Sequence, residues 1–358
     1  MKQRSRLSIV PIVVMAALIG CSPPPPEPIA PRSTDGLNLL VAVEGEVRLK
    51  RDGWSEYIPV GFGTLIQCDD LLQVDGTATV LCGDLTVQTV SGWDSCPCPP
   101  STRGRLEHEG AHYRGPSAGV PYIKRPRNTL VLDEWPLLRW HNTGASDYTV
   151  AVVQGGKAIW QQDDVVGSEM QYPEDAPPLQ PGVDYLLVVR DNDTGVESGE
   201  DPARGIGFRV VAREDRAAIE TRRNEILALS SLDKPSRGFV LATDYATWRT
   251  SEGQDGRRLW GDAWLLLESV AQTNDAPAVH LWMGDVLAAM KLPDEAVAAY
   301  QATVQRAETL GDLESQAAAH AGLWRVTAKD EDWGEAVELY GKVGDEAKVE
   351  SLHQEKGQ

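Results

Sequence analysis

Two strand-like stretches precede a helical half along this chain. Between about 37 and 120, apolar and polar residues alternate in runs that Gly and Asp interrupt, which is the period of half-buried β-strands. From about 122 to 211, further short strand-like runs follow, with turn residues every eight to twelve positions or so. That spacing predicts a small antiparallel sandwich.

Beyond residue 212 the pattern changes, because Ala, Glu, Arg and Leu dominate and the apolar residues take a helical period. The unit DEAVAAY at 294–300 recurs as GEAVELY at 334–340, so that Ala and Tyr stand four residues apart in both copies. The whole chain therefore predicts a multidomain β plus α fold. Helices are expected near 213–230, 237–248, 257–272, 277–290, 293–309, 313–328 and 332–343.

The N-terminus has the layout of a secretory signal over residues 1–20. Basic residues are followed by a short apolar run, which is interrupted by Pro11 and is too short for a permanent membrane span. The run Leu18–Cys21 resembles the bacterial lipobox, and the resemblance implies that Cys21 is lipidated. An ordinary cleaved signal with a chance cysteine is the alternative. Four prolines follow and predict an extended linker over 21–36.

Composition narrows the functional classes. The net charge is −19 over 358 residues, and an acidic surface of that size repels nucleic acid. The hydrophobic content of 42% is sufficient for two or three cores. The sequence carries no Gly-rich phosphate loop, no G-x-S-x-G elbow and no dinucleotide fingerprint. No cofactor is therefore expected.

The cysteines after Cys21 lie close together in the first strand-like segment. In an oxidising compartment four cysteines allow two disulfides in any of three pairings. Two arrangements are favoured: bonds that join Cys68 and Cys82 to the Cys96/Cys98 pair, or a Cys68–Cys82 bond with the last two free. A four-thiolate metal site is the alternative, although the paired C-x-x-C spacing is missing.

Residues His108, Glu109 and His112 match the H-E-x-x-H pattern of zinc hydrolases. On a helix that spacing places two imidazoles on one face, with the glutamate available as a general base. The surrounding Gly and Pro residues favour a loop instead, and no third ligand is evident. A zinc-dependent hydrolase is therefore kept as an alternative function, and no metal is expected.

The repeated helical unit resembles a tetratricopeptide repeat. Gly284, Leu287, Ala296 and Tyr300 match that pattern, and Leu323, Ala336 and Tyr340 match it again, although Trp324 stands where glycine is usual. The resemblance implies stacked helix pairs, in which small residues allow close packing and the tyrosine fills the gap to the next repeat.

The first strand segment resembles a FecR-type periplasmic domain, and the second resembles immunoglobulin or fibronectin type III modules. The immunoglobulin-like resemblance implies that Trp140 lies in the core and that LQPGVDY forms the turn into a late strand. The FecR-like resemblance is carried by GEV at 45–47, Trp54, Gly61, Leu65, Asp69, Leu71, Ala78, Leu81 and the Gly83–Asp84 turn. The expected domains are a FecR-like β domain at 37–120, a sandwich at 121–211 and a tetratricopeptide-like array at 212–358.

These resemblances imply a non-catalytic lipoprotein of the bacterial envelope. The anchor, with Ser22 after the cysteine, implies the outer membrane, facing the periplasm. The helical array is expected to bind an envelope protein through the first helices of its repeats, and no nucleic acid is expected as a partner. A FecR-like signalling component is a further alternative. The candidate partner-binding residues are His280, Asp285, His320 and Arg325.

Overall fold

The computed structural model describes residues 36–101, 103–106, 118–201, 207–250 and 256–357, all of which belong to one compact unit. These residues form twelve strands in three sheets and eight α-helices. The expectation of a mixed β plus α fold is therefore confirmed. The predicted signal peptide, Cys21 and almost all of the predicted linker lie outside the described residues.

The first sheet is antiparallel, and two glycines face each other in the middle of its central strands. Gly45 of β1 and Gly76 of β3 face each other with φ of +105° and +115°. A Cβ on either residue would collide with a backbone carbonyl oxygen of the opposite strand, so only glycine fits at these two positions. Both halves of β3 bury side chains, including Val74 and Val80, in one core. The strands are β1 (Leu39–Lys50), β2 (Ile58–Val60), β3 (Leu71–Leu81) and β4 (Val87–Ser95), in the order β2-β1-β3-β4.

Two further sheets share a second core. Trp140 is 1% exposed and packs edge-on against Tyr148, which agrees with its expected core position. The LQPGVDY run leads into β11 as expected. One sheet contains β5 (Ile123–Arg125), β7 (Leu137–Trp140) and β10 (Glu169–Gln171). The other has the order β6-β12-β11-β8-β9, with β6 (Thr129–Val131), β8 (Tyr148–Gln154), β9 (Lys157–Val165), β11 (Asp184–Asp191) and β12 (Phe208–Val210).

Eight helices follow the strands, and neighbouring helices along the chain pack on one another. The seven expected helices are present, with ends shifted by a few residues. The eighth, α8, was not expected: it buries only Leu352, so its sequence has little apolar periodicity. The helices are α1 (Arg213–Leu227), α2 (Lys234–Thr247), α3 (Trp260–Ala271), α4 (Pro277–Ala289), α5 (Pro293–Leu310), α6 (Leu313–Thr327), α7 (Asp330–Val343) and α8 (Glu346–Lys356).

The largest hydrophobic core joins strands to helices. Leu39 and Leu81 of the first sheet lie in the same buried cluster as Ile219 and Phe239 of the helical half. A backbone hydrogen bond also joins the first strand segment to the helices, because the Ser55 N–H donates to the carbonyl of Val343. The segments that the sequence divides into separate domains therefore pack as parts of one body.

One disulfide joins Cys82 to Cys98, and both residues are buried. It is one of the two bonds in the arrangement that joins Cys68 and Cys82 to the Cys96/Cys98 pair, but the second bond, from Cys68 to Cys96, is absent. The alternative Cys68–Cys82 bond is wrong for this structure. Cys82 and Cys98 follow opposite ends of the β3–β4 hairpin, so the bond requires the hairpin to curve. Cys68 and Cys96 are not disulfide-bonded and are partly exposed.

Candidate partner-binding surface

Three acidic residues on helices α2, α4 and α6 pair with arginines of the first strand segment. Asp244 of α2 lies 3.3 Å from Arg103, Asp285 of α4 lies 2.9 Å from Arg105, and these distances join carboxylate oxygens to guanidinium nitrogens. On α6, Glu314 binds the guanidinium of Arg51 at 2.8 Å. We call the surface that carries Asp244, Asp285 and Glu314 the acidic inner face.

Close packing of α4, α5 and α6 positions Asp285. The ring of Tyr300 lies between Gly284 and Gly322, where an added Cβ would come within 2.6 and 2.5 Å of ring atoms. Such distances are shorter than any normal carbon contact, so both positions need glycine. The Tyr300 hydroxyl then donates to Asp285 Oδ1 at 2.9 Å. The two oxygens of this buried carboxylate are thereby directed to Tyr300 and Arg105.

The electrostatics of the acidic inner face favour charged arginines. Burial lowers the pKa of Arg105, but the carboxylate of Asp285, together with Tyr340, Tyr300 and Glu314, outweighs that effect and raises the pKa overall. Burial raises the pKa of Asp244, whereas Arg222 and Arg103 oppose that shift. A buried carboxylate is costly without a cation beside it. The face is therefore built to hold guanidinium groups.

Arginine and asparagine side chains from the second strand segment hold the end of α4. Arg127 donates to the backbone carbonyls of Met290 and Lys291, and Asn128 donates to that of Ala289. Carbonyls at a helix C-terminus lack partners within the helix, and cationic side chains are favoured there. These bonds fix the second strand segment against the same helices that form the acidic inner face.

Three of the four predicted partner-binding residues bond to acidic side chains, and the fourth is buried. His280 bonds to Asp275 at 2.9 Å, and His320 bonds to Asp332 at 3.1 Å. Arg325 makes two hydrogen bonds to Glu355, and both are 2.8 Å long.

Asp285, by contrast, is 1% exposed. Its expected position on an open surface is wrong in this structure, because Arg105 and Tyr300 cover it.

The residues predicted to bind zinc in the alternative function are not among those that the structure describes. His108, Glu109 and His112 lie outside the described residues. Among the residues that are described, no group of three or more His, Cys, Asp or Glu side chains could hold a metal ion.

No helix within the described ranges is long and apolar enough to cross a membrane.

Sequence reasoning missed five members of this surface, which are Arg51, Arg103, Arg105, Asp244 and Glu314. The one signal concerned Arg103 and Arg105, which alternate with smaller residues in the TRGRL run of a predicted loop. Their partners lie more than 130 positions away along the chain, so the sequence could not identify them.

Comparison with protein-family models and with curated proteins finds no match to this chain.

Proposed function

We propose that this chain is a non-catalytic lipoprotein of the bacterial envelope that binds a protein partner through its helical array. The observation that carries the proposal is the acidic inner face, which already receives a non-helical stretch of chain, residues 103–106, through side-chain ion pairs. Surfaces of stacked helix pairs commonly bind extended segments in this way. Lipidation at Cys21 and an outer-membrane position facing the periplasm belong to the same proposal.

The arrangement around Tyr300 supports the proposed tetratricopeptide-like array. Its ring fills the space that small residues leave between successive helix pairs, as that resemblance implies. A hydrogen bond from the Gln180 N–H to the Tyr185 hydroxyl, five residues on, supports the proposed immunoglobulin-like module, since such modules carry a comparable tyrosine bond near a late strand. The FecR-like assignment of the first sheet remains part of the proposal.

Photo-crosslinking in intact cells tests the proposed function. A photoreactive amino acid replaces Arg249, which is exposed and directly follows Trp248, the residue whose ring Arg103 approaches. The control position is Val166, which is 78% exposed on the sandwich. We expect a defined protein adduct from position 249 and none from position 166. Adducts from position 166 alone, or the same adducts from both, would contradict binding by the helical array.

A further inference from the structure

We propose that the acidic inner face selects a partner segment with two arginines two residues apart, and that Arg103 and Arg105 occupy this site as an internal competitor. This inference rests on the proposed function and specifies the chemistry of the partner. The stretch Arg103–Gly104–Arg105 shows what the face accepts, because each arginine contacts an acid on a different helix.

The spacing of the arginines fits the spacing of the acids. In an extended chain, residues i and i+2 project to the same side, about 6.5 to 7 Å apart. Gly104, between the arginines, is exposed, and an added Cβ there would meet nothing within 4 Å. A partner segment can therefore carry a residue other than glycine at the middle position, whereas both flanking positions need a cation.

The contacts favour arginine over lysine. The guanidinium of Arg103 lies 5.7 Å from the centre of the Trp248 ring while it also pairs with Asp244. A planar guanidinium can stack on an aromatic face and donate to a carboxylate together, whereas the compact ammonium of lysine is suited to one such contact. We therefore expect lysine substitutions in a partner segment to weaken binding.

Asp244 and Asp285 each keep a partner when Arg103 and Arg105 are removed. Arg222 lies 3.5 Å from Asp244, and the Tyr300 hydroxyl bonds Asp285. A variant with R103A and R105A therefore retains one partner for each carboxylate and exposes the acidic inner face. Arg48, whose ion pair with Glu46 is about half exposed, provides a matched arginine removal away from this face.

Fluorescence polarisation of a labelled STRGRLE peptide with the purified full chain tests the inference. An internal competitor that occupies the site about nine-tenths of the time reduces the apparent affinity about tenfold. We therefore expect R103A/R105A to bind the peptide at least about tenfold more tightly than the wild type or R48A. Lysine and alanine versions of the peptide should bind progressively more weakly, and D244N/D285N should lose binding.

The opposite results are equally specific. Equal peptide affinity for R103A/R105A and the wild type would overturn the inference, and so would equal binding of the arginine and alanine peptides. Melting curves identify a misfolded variant, in which case R103Q/R105Q replaces it. Crosslinking from position 249 is measured in a separate experiment. A defined adduct there without peptide binding would reject a partner with paired arginines but would still support the proposed function.

Discussion

Replacement of Arg127 by methionine should be among the most destabilising single changes in this protein. The Arg127 side chain is 3% exposed and lies 2.6 Å from Asp201, whose side chain is 4% exposed. The same guanidinium donates to the carbonyls of Met290 and Lys291 at the end of α4, at 2.9 and 3.0 Å. Methionine fills a similar length but supplies no donor or charge.

The expected cost follows from burial. Removal of one member of a buried ion pair costs about 3–5 kcal/mol, because the remaining charge keeps its desolvation penalty. A typical folded protein is stable by only about 5–15 kcal/mol, so R127M should remove a large fraction of the stability. The exposed Arg48–Glu46 pair is the matched control, since exposed pairs contribute about 1 kcal/mol or less.

Urea unfolding, followed by tryptophan fluorescence and far-UV circular dichroism, measures both variants. We expect R127M to lower the free energy of unfolding by about 3–5 kcal/mol and R48M to lower it by about 1 kcal/mol or less. D201N in the R127M background should cost less than in the wild type, because the two residues act as a pair. A cost for R127M no larger than that for R48M would refute the argument.

Three other changes test local features of the fold. Burial raises the pKa of Asp312 to about 6, from an ordinary 3.8. The native state then binds its proton more readily than the unfolded state, so stability falls as pH rises from about 4 to 6, and D312N should remove about 3 kcal/mol of that fall in urea titrations. Loss of the Cys82–Cys98 disulfide, which spans 16 positions, should cost about 3 kcal/mol in C82A/C98A, whereas replacement of the two free cysteines should cost far less. G322A should be at least about 1 kcal/mol less stable than G334A, because Gly322 faces the buried tyrosine ring while Gly334 faces open space.

Opposite outcomes would contradict each of these arguments. An unchanged pH dependence in D312N would mean that this carboxyl is ionised at its ordinary pKa in the native state. Equal losses from the two pairs of cysteine substitutions would deny a special role to the disulfide. A G322A variant as stable as G334A would show that α4, α5 and α6 pack less closely than the Tyr300 contacts indicate.

Local patterns were sufficient to predict most secondary structure. The apolar period between 277 and 310 predicted α4 and α5 within one residue at each end, because Pro277 and Pro293 begin those helices. Trp140 was expected in a core and is buried there. Helix α8 was missed because one buried leucine provides no periodic signal.

Long-range pairing could not be predicted in the same way. Asp285 has the sequence position of a surface residue on a first helix, and only folding brings Arg105 to it from 180 positions away. The core shared by Leu39 and Phe239 has the same origin. The sequence favoured two cysteine arrangements and could not decide between them, because the partners of Cys82 depend on how the β3–β4 hairpin folds.

The most direct test of the account is the yield of the protein adduct from position 249 in cells, compared between the wild type and two variants of the acidic inner face. If the face binds a partner and the chain's own arginines compete for it, R103A/R105A should raise the adduct yield and D244N/D285N should abolish it. An adduct of equal yield in all three proteins would contradict the claim that this face is the binding surface.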